Sequence, residues 1–484
     1  MTRILFATSE AVPLIKTGGL ADVSGSLPAA LRDLGEDVRI ILPAYPAALV
    51  GAGHLRHLTS LQVMGEHVSL LEGRMPDTGV TVWLVDAPAL FEREGGPYVD
   101  EHGQDWPDNA ERFTLFCRVV VEIAMGRANL SWRPDILHGN DWQTGLAIAL
   151  AHLESQRPAT IFSIHNLAYQ GYFSEENFRA LQLPEALWSP ASMEYYGQWV
   201  MIKGGLAHAD RLLTVSPSYA QEITTAAFGN GMDGLLRHRQ DRLSGILNGI
   251  DTQIWDPNHD RLIPASYSQD NMLGKSINKS ALQRHFDLPE IDVPVFGLVS
   301  RLVEQKGIDL VLAALPDHIH APIQLVMLGS GNKQYEQACV ELVHRYPHQV
   351  GVTIGYDEVL AHLIEAGSDF FLMPSRFEPC GLNQLYSLRY GTPPIVHKTG
   401  GLADTVTHCW PQTLEDGSAT GFVFEHPTAT GLSWAMGEAL RCMARKDCLQ
   451  RLRQNGMRQD VSWKNSAQTY RQVYQQAMQD KAIA

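Results

Sequence analysis

Residues 373–406 read MPSRFEPCGLNQLYSLRYGTPPIVHKTGGLADTV. They begin at the end of the apolar run Asp369–Met373, which is typical of a buried parallel strand. Pro374 and Ser375 end that strand, and Glu378 lies on the loop beyond it. The pattern therefore predicts a buried strand followed by a loop that carries one carboxylate.

Glycines mark the next two turns of this stretch. Gly381 allows a tight turn into a helix near Leu382–Tyr390, which residues 391–394 end. A short strand at Ile395–Val396 then leads to Gly400–Gly401, which open another helix. These turns lie at the carboxyl edge of adjacent strands, where open α/β sheets bind ligands. We expect unpaired N–H groups there to attract an anion such as phosphate.

A segment near the N-terminus repeats the end of this stretch. Lys398-Thr399-Gly400-Gly401-Leu402-Ala403-Asp404 is identical to Lys16-Thr17-Gly18-Gly19-Leu20-Ala21-Asp22. Close packing at a strand-to-helix turn explains the glycines of both copies. It explains the other recurring residues poorly.

The composition is that of a globular protein, with 484 residues, of which 45% are hydrophobic and 19% charged. The length predicts two domains. The formal net charge of -15 disfavours nucleic acid and anionic membranes as partners. No apolar run approaches the roughly 20 residues of a membrane helix, and the start does not resemble a signal peptide. We therefore expect a cytoplasmic protein.

The six cysteines are scattered and form neither a CxxC motif nor a Cys/His metal spacing, so reduced thiols are expected. Cys380 precedes Gly381 at a predicted helix start. That position would lower the pKa of its thiol and make it sensitive to thiol reagents if the sulfur is accessible.

The first half of the chain predicts a doubly wound α/β domain. Strand 3–8, a glycine-rich loop, helix Leu20–Leu34 and strand Asp37–Leu42 form its start. Further strands are predicted near Gln62–Leu70 and Val80–Val85. The G-x-G-x-x-G spacing is missing, so no nicotinamide site is predicted.

A linker rich in Asp, Pro and Ser, residues 251–271, precedes a second series of alternating strands and helices. We predict an N-terminal domain at 1–250, a C-terminal domain at 251–460, and a last helix at 461–484 that returns to the first domain. The fold class is α/β, with two Rossmann-like doubly wound domains facing each other across a deep cleft.

Each candidate site residue has a structural alternative. Arg301 and Lys306 lie five residues apart on a strand-to-helix loop, and either hold a diphosphate or are surface charges. Glu378 either contacts ligand hydroxyls or forms a helix cap or salt bridge. Asp141 is a sugar ligand or a helix cap, and Tyr356 stacks on a nucleobase or packs on the sheet.

His165 follows a predicted buried strand. A lone histidine is more often structural than catalytic. No Ser or Cys nucleophile motif accompanies it, so a hydrolytic triad is not predicted.

Together these motifs resemble the family of bacterial glycogen synthases and plant starch synthases. The resemblance covers nearly the whole chain, in order, and rests on KTGGLADV (16–23), HGNDW (138–142), HNLAYQG (165–171), NGID (248–251), SRL with KG (300–307), EPCGL (378–382) and TGGLADTV (399–406). It implies the GT-B architecture and transfer of glucose from ADP-glucose to the non-reducing 4-hydroxyl end of an α-1,4-glucan. Glycogen or a maltooligosaccharide would be the primer, configuration would be retained, and ADP would be released.

The resemblance also implies residue roles. The catalytic residues it implies are Arg301, Lys306, Glu378, His165 and Asp141. The donor-binding residues it implies are Lys16, Gly18, Gly19, Tyr356, Asn248, Cys380, Gly381, Leu382, Gly400 and Gly401. Of these donor-binding residues, Tyr356 resembles the one that stacks on adenine. Asp22, which is not among them, resembles a residue on the acceptor side.

No cofactor and no metal are expected. Arg301 and Lys306 would stabilise the leaving diphosphate in place of a metal, and no Asp-x-Asp motif appears. The family implies attack on the same face of the sugar, with the leaving phosphate helping to deprotonate the acceptor hydroxyl.

Two positions differ from many relatives. A second Glu often follows the first by eight positions, but Tyr386 occupies that place here, as this branch typically has. Position 383 is Asn, where many relatives have Thr.

Two alternatives remain open. One is a related transferase that uses UDP-glucose or a small acceptor, which donor selectivity would distinguish. The other is a non-catalytic glucan-binding protein, which a turnover assay would distinguish. Intact Lys16, Arg301, Lys306 and Glu378 argue against the second.

Overall fold

The chain folds into two compact α/β units. The computed structural model describes residues 1–483, and Ala484, the end of the predicted last helix, lies outside them. The first unit comprises Met1–Asn248 and the C-terminal segment from Trp463, and the second comprises Gly249–Ser462.

The first unit is built on a mixed sheet flanked by helices. Its strands are β1 (Arg3–Ala7), β2 (Asp37–Pro43), β3 (Arg56–Val63), β4 (Glu66–Arg74), β5 (Thr81–Asp86), β6 (Ile136–Asn140), β7 (Ala159–Ile164), β8 (Tyr172–Ser174), β9 (Glu194–Tyr195), β10 (Gln198–Val200), β11 (Arg211–Thr214) and β12 (Leu243–Gly245). Its helices before the linker are α1 (Gly19–Asp33), α2 (Pro46–Gly51), α3 (Pro88–Phe91), α4 (Asn109–Ala124), α5 (Trp142–His152), α6 (Glu175–Ala180), α7 (Met201–His208), α8 (Pro217–Glu222) and α9 (Asp233–His238).

The strand order of the main sheet is β12-β11-β7-β6-β1-β2-β5-β4-β3. Neighbours are parallel from β12 to β5, whereas β4 pairs antiparallel with both β5 and β3. The prediction of one strand at Gln62–Leu70 is wrong, because the chain turns back at Met64–Gly65, where both residues have positive φ. This turn lacks the Asn-Gly or Asp-Gly pair that signals a hairpin in a sequence.

The second unit has a parallel sheet in the order β15-β14-β13-β16-β17-β18. Its strands are β13 (Val295–Val299), β14 (Gln324–Gly329), β15 (Val350–Ile354), β16 (Phe370–Met373), β17 (Pro394–His397) and β18 (Phe422–Phe424). Its helices are α10 (Leu273–His285), α11 (Ile308–Ala314), α12 (Lys333–Arg345), α13 (Glu358–Gly367), α14 (Asn383–Arg389), α15 (Gly400–Thr405), α16 (Pro411–Glu415), α17 (Ala429–Met443) and α18 (Lys446–Met457).

The final helix, α19 (Trp463–Ile483), belongs to the first unit. Trp463 and Tyr470 join the same apolar cluster as Ile4 of β1. The Tyr474 hydroxyl lies 2.8 Å from Nδ1 of the buried His138 in β6. The sheet of the first unit is thus covered by a segment distant in sequence.

The order of elements predicted for residues 373–406 is confirmed. The chain passes through β16, the Glu378 loop, α14, β17 and α15. Because β13 lies beside β16, the loop after β13 and the loop that carries Glu378 leave the same edge of the sheet.

The structure pairs two of the cysteines, Cys442 and Cys448, in a disulfide. The expectation of reduced thiols throughout is therefore wrong for this pair.

None of the helices in residues 1–483 combines the length and apolarity that a membrane crossing requires.

Candidate active site

The loop after β1 carries a buried carboxylate, that of Glu10, which is 4% exposed. Its Oε2 accepts hydrogen bonds from the N–H groups of Thr17 (2.5 Å) and Gly18 (3.0 Å). The Tyr98 hydroxyl donates to Oε1 at 2.5 Å. The Gly18 N–H therefore already has an acceptor within the first unit. The only sequence signal for this contact was an acidic residue in the same loop as the glycines.

Lys16 and Asp22, which were expected on the donor and acceptor sides, form an ion pair at 2.8 Å. The Lys16 side chain is 46% exposed. Exposed ion pairs contribute only about 0–1 kcal/mol. An anionic ligand is therefore able to compete with Asp22 for the ammonium group.

The glycines of the first repeated segment face open space. A methyl group added at Gly18 or Gly19 would meet no atom within 4 Å. Tight packing therefore does not require glycine at either position. The space leaves the backbone accessible to a ligand.

Asp141 directly follows β6 and has φ of 56°, which is uncommon for a residue with a side chain. Its Oδ1 accepts the N–H groups of His165 (2.7 Å) and Asn166 (3.4 Å), so it connects the ends of β6 and β7. Burial raises the pKa of the Asp141 carboxyl to about 7, although these two hydrogen bonds oppose the shift. Unusual backbone geometry and a shifted pKa often occur together at functional sites.

The His165 imidazole is buried, with Nε2 at 3.0 Å from Asn140 Oδ1. Asn140 donates its amide group to the carbonyl oxygen of Ala7, so its Oδ1 accepts and His165 Nε2 donates. Burial lowers the pKa of His165 to about 3, which keeps the ring neutral near pH 7. In this tautomer Nδ1 is an acceptor that can orient a hydroxyl group.

Asn248 is the last residue of the first unit before the linker. Its Oδ1 is buried and has no hydrogen-bond partner within the described part of the chain. An unsatisfied buried acceptor costs about 1–3 kcal/mol. Asn248 is therefore a candidate for contact with a polar ligand group.

In the second unit, Lys306 and Glu378 form an ion pair with Nζ and Oε2 2.5 Å apart. Their side chains are 18% and 9% exposed, respectively. The Ser375 hydroxyl donates to the same carboxylate oxygen at 2.9 Å. Glu378 thus forms the salt bridge that was one of its alternatives, which places a cation and a carboxylate side by side at the sheet edge.

Gly307 determines the path of the chain after Lys306. It has φ of 70°, and a methyl group there would lie 2.2 Å from the carbonyl oxygen of Pro374. Any larger residue would push the loop after β13 away from the loop after β16.

Arg301 lies in the loop after β13 and is exposed. Its Nη2 lies 3.5 Å from Gln305 Oε1, at the limit of a hydrogen bond. Gln305 in turn donates to the carbonyl oxygen of Phe377 at 3.2 Å. The guanidinium group therefore shares a loop with Lys306 and is accessible to an anionic ligand.

The glycines of the second repeated segment are required for packing. A methyl group would lie 2.1 Å from the carbonyl oxygen of Glu378 if added at Gly400, and 2.2 Å from that of Cys380 if added at Gly401. The Gly401 N–H donates to the carbonyl oxygens of Glu378 and Pro379, both at 3.1 Å. The expectation of unpaired N–H groups at the helix openings of residues 373–406 is therefore wrong at Gly401.

Cys380 lies in this packed loop and is only 4% exposed. The condition of an accessible sulfur, on which the predicted reactivity of Cys380 depended, is thus not met, while Gly381 and Leu382 lead into α14 as predicted. Gln384, which the sequence did not single out, donates to the Cys380 carbonyl oxygen at 2.9 Å. Its own Oε1 is buried and lacks a partner among the residues described.

The structure accounts for both unusual positions. Asn383 donates its side-chain amide to the carbonyl oxygen of Val299 at 2.6 Å, which connects the start of α14 to the end of β13. Tyr386, in place of a second Glu, is buried and stacks on Trp255 with ring centroids 3.8 Å apart and an interplanar angle of 9°.

Tyr356 follows β15 and is 77% exposed. Its hydroxyl donates to Glu358 Oε2 at 3.1 Å. The alternative of packing against the sheet is wrong, and a planar ligand group can reach the exposed ring.

Two family models match the chain. Residues 3–238 match the starch synthase catalytic domain, and residues 283–459 match glycosyl transferases group 1. Glycogen synthase 2 of Nitrosococcus oceani is 54% identical over 480 residues, which is 98% of this chain and 97% of that protein. Glycogen synthase 1 of Methylococcus capsulatus is 52% identical over 477 residues, with 98% and 97% covered.

Solved structures show the same architecture. The catalytic domain of starch synthase IV from Arabidopsis thaliana, bound to ADP and acarbose, superposes with a TM-score of 0.89 at 31% identity, and 99% of each chain is covered. Sucrose-phosphate synthase from Thermosynechococcus elongatus has a TM-score of 0.59 at 18% identity, with 98% of this chain and 99% of that chain covered. The second likeness concerns the fold alone.

Proposed function

The chain belongs to the bacterial glycogen synthase family and is a glycosyltransferase, and we propose that it transfers glucose from ADP-glucose to the non-reducing 4-hydroxyl end of an α-1,4-glucan. Configuration is retained and ADP is released. Glycogen or a maltooligosaccharide serves as the primer. The family resemblance and the GT-B fold class expected from the sequence are confirmed.

The ion pair between Lys306 and Glu378 carries the proposal at the level of residues. Departure of ADP concentrates negative charge on a diphosphate, which preorganised cations stabilise. Lys306 is held by Glu378, and Arg301 lies on the same loop, so both cations would contact the diphosphate. The mechanism then needs neither a metal nor a cofactor.

The first unit supplies groups for the glucose in this proposal. The neutral His165 would accept a hydrogen bond from a sugar hydroxyl, and Asp141 would orient another. Lys16 and the open backbone at Gly18–Gly19 would contact the donor, and Asp22 would lie on the acceptor side. The exposed ring of Tyr356 in the second unit would stack on adenine.

The test is ADP release from ADP-glucose with and without glycogen. Lys306→Ala and Arg301→Ala are each expected to lower kcat by about 10²–10³-fold, because each removes a preorganised charge. Arg284→Ala is the control, since Arg284 is an exposed arginine of α10 that pairs with Glu290. Near-normal turnover of Lys306→Ala would remove that residue from the mechanism. Absence of turnover in the wild type with glycogen would favour the non-catalytic alternative.

A further inference from the structure

Three cysteine sulfurs meet in the second unit. Cys442, near the end of α17, forms a disulfide with Cys448 in α18. The sulfur of Cys409 lies 3.9 Å from that of Cys448, and all three sulfurs lie within 4.8 Å of one another. A free thiol beside a disulfide undergoes thiol–disulfide exchange when its sulfur lies in line with the bond that breaks, and from the observed positions the Cys409 side chain must rotate to reach that line.

The surroundings distinguish the three sulfurs. Cys442 and Cys448 are each 1% exposed, whereas Cys409 is partly exposed. A soluble oxidant or reductant therefore reaches Cys409 first. The Arg445 guanidinium lies 3.6 Å from Cys448 Sγ, where it stabilises negative charge that develops on sulfur. Burial raises the pKa of the Cys409 thiol, and the charge of Arg445 acts against that shift.

We propose that Cys409, Cys442 and Cys448 form an exchange unit in which one disulfide moves between two positions. The Cys409 thiol releases its proton to solvent, the thiolate attacks Cys448 Sγ, and the bond between Cys442 and Cys448 breaks. Cys442 leaves with the electron pair as a thiolate and takes up a proton from solvent. A bond between Cys409 and Cys448 replaces the original one without net oxidation.

The exchange changes which elements are crosslinked. In the observed state the disulfide joins α17 to α18, whereas the alternative joins α18 to the segment that follows α15. Cys409 lies four residues after the end of α15, the helix whose Gly401 packs against Cys380. The second crosslink is therefore connected through a short segment to the candidate active site.

The experiment equilibrates the full-length chain in mixtures of reduced and oxidised glutathione. An acid quench, alkylation of free thiols and peptide mass spectrometry then identify each crosslink. The wild type is expected to contain both the Cys442–Cys448 and the Cys409–Cys448 crosslinks. Cys442→Ser is expected to form only the second, and Cys409→Ser only the first. The buried Cys117 and Cys339 serve as internal references that stay free.

Three results would overturn the proposal. One is a folded Cys442→Ser protein in which Cys409 and Cys448 remain thiols in oxidised glutathione. Another is a stable adduct of glutathione on Cys409 in place of a protein crosslink. The third is a wild-type protein in which no crosslink between Cys409 and Cys448 is detected at any ratio of reduced to oxidised glutathione. This result refutes the proposal even if a variant does not fold.

Discussion

Gly19 and Gly401 offer a matched test that separates folding from ligand binding. They occupy the same position in the two repeated segments, and each lies in the first turn of a helix, α1 or α15. A methyl group at Gly19 would meet no atom within 4 Å, whereas one at Gly401 would lie 2.2, 2.4 and 2.6 Å from backbone atoms of Cys380. The same change to alanine should therefore affect folding differently at the two positions.

The size of the difference follows from these distances. Gly401→Ala must displace backbone, and overpacking of this kind costs about 1–3 kcal/mol or more. Gly19→Ala avoids that cost and gains up to about 1 kcal/mol in helix propensity. In a unit of this size each kcal/mol shifts Tm by roughly 2–4 °C. We expect the Tm of Gly401→Ala to fall by several degrees and that of Gly19→Ala to stay level or rise.

Calorimetry and the ADP-release assay together complete the test. Gly19→Ala should fold normally yet lose kcat/KM by up to about 10²-fold, because its methyl group fills space proposed for the donor. Equal losses of Tm in both variants would show that the space at Gly19 is not open. Full activity of Gly19→Ala would show that no ligand approaches that backbone, and either result would refute the reasoning.

The remaining predictions concern pH, donor, metal and thiol chemistry. In the folded chain the pKa of the Asp141 carboxyl is about 7, whereas in the unfolded chain it is near 4. Between these two values the unfolded chain loses the proton that the folded chain keeps. The free energy of unfolding of the wild type should therefore fall relative to that of Asp141→Asn as the pH rises from about 4 to about 7. Urea unfolding at several pH values measures this, and a constant difference would contradict it. The ratio kcat/KM should favour ADP-glucose over UDP-glucose, and equal values would oppose the proposed donor. Activity should survive EDTA, whereas a metal requirement would remove the leaving-group role of Arg301 and Lys306. Since Cys380 is buried, thiol reagents should inactivate slowly, and Cys380→Ser should remain active and resist them; rapid loss of activity would contradict the observed burial.

Much of the fold could be predicted because buried parallel strands are continuous apolar runs between glycine or proline turns. The strand expected at Asp369–Met373 is β16 at Phe370–Met373, and the helix expected at Leu20–Leu34 is α1 at Gly19–Asp33. The hairpin of β3 and β4 was missed, because partly exposed antiparallel strands with an atypical turn give a weak pattern. Local sequence is least informative there.

The candidate site could be predicted only as a set of residues. Loops that follow parallel strands indicate which side chains collect at the sheet edge, but pairing depends on side-chain directions that a sequence does not show. Lys16 with Asp22 and Lys306 with Glu378 are such pairs. The contact between Glu10 and the backbone at Gly18 was missed for the same reason.

The repeated segments show how identical residues acquire different roles from what they contact. In both copies a glycine N–H near the start of a helix has an acceptor on the loop that follows a strand. At Gly401 the acceptors are backbone carbonyl groups of Glu378 and Pro379, within a contact that has no space for a methyl group. At Gly18 the acceptor is the side-chain carboxylate of Glu10, beside open space. A side chain can rotate away without moving the chain, whereas a backbone carbonyl cannot. The first copy is therefore able to exchange its internal acceptor for an anionic ligand, while the second holds the Glu378 loop in place.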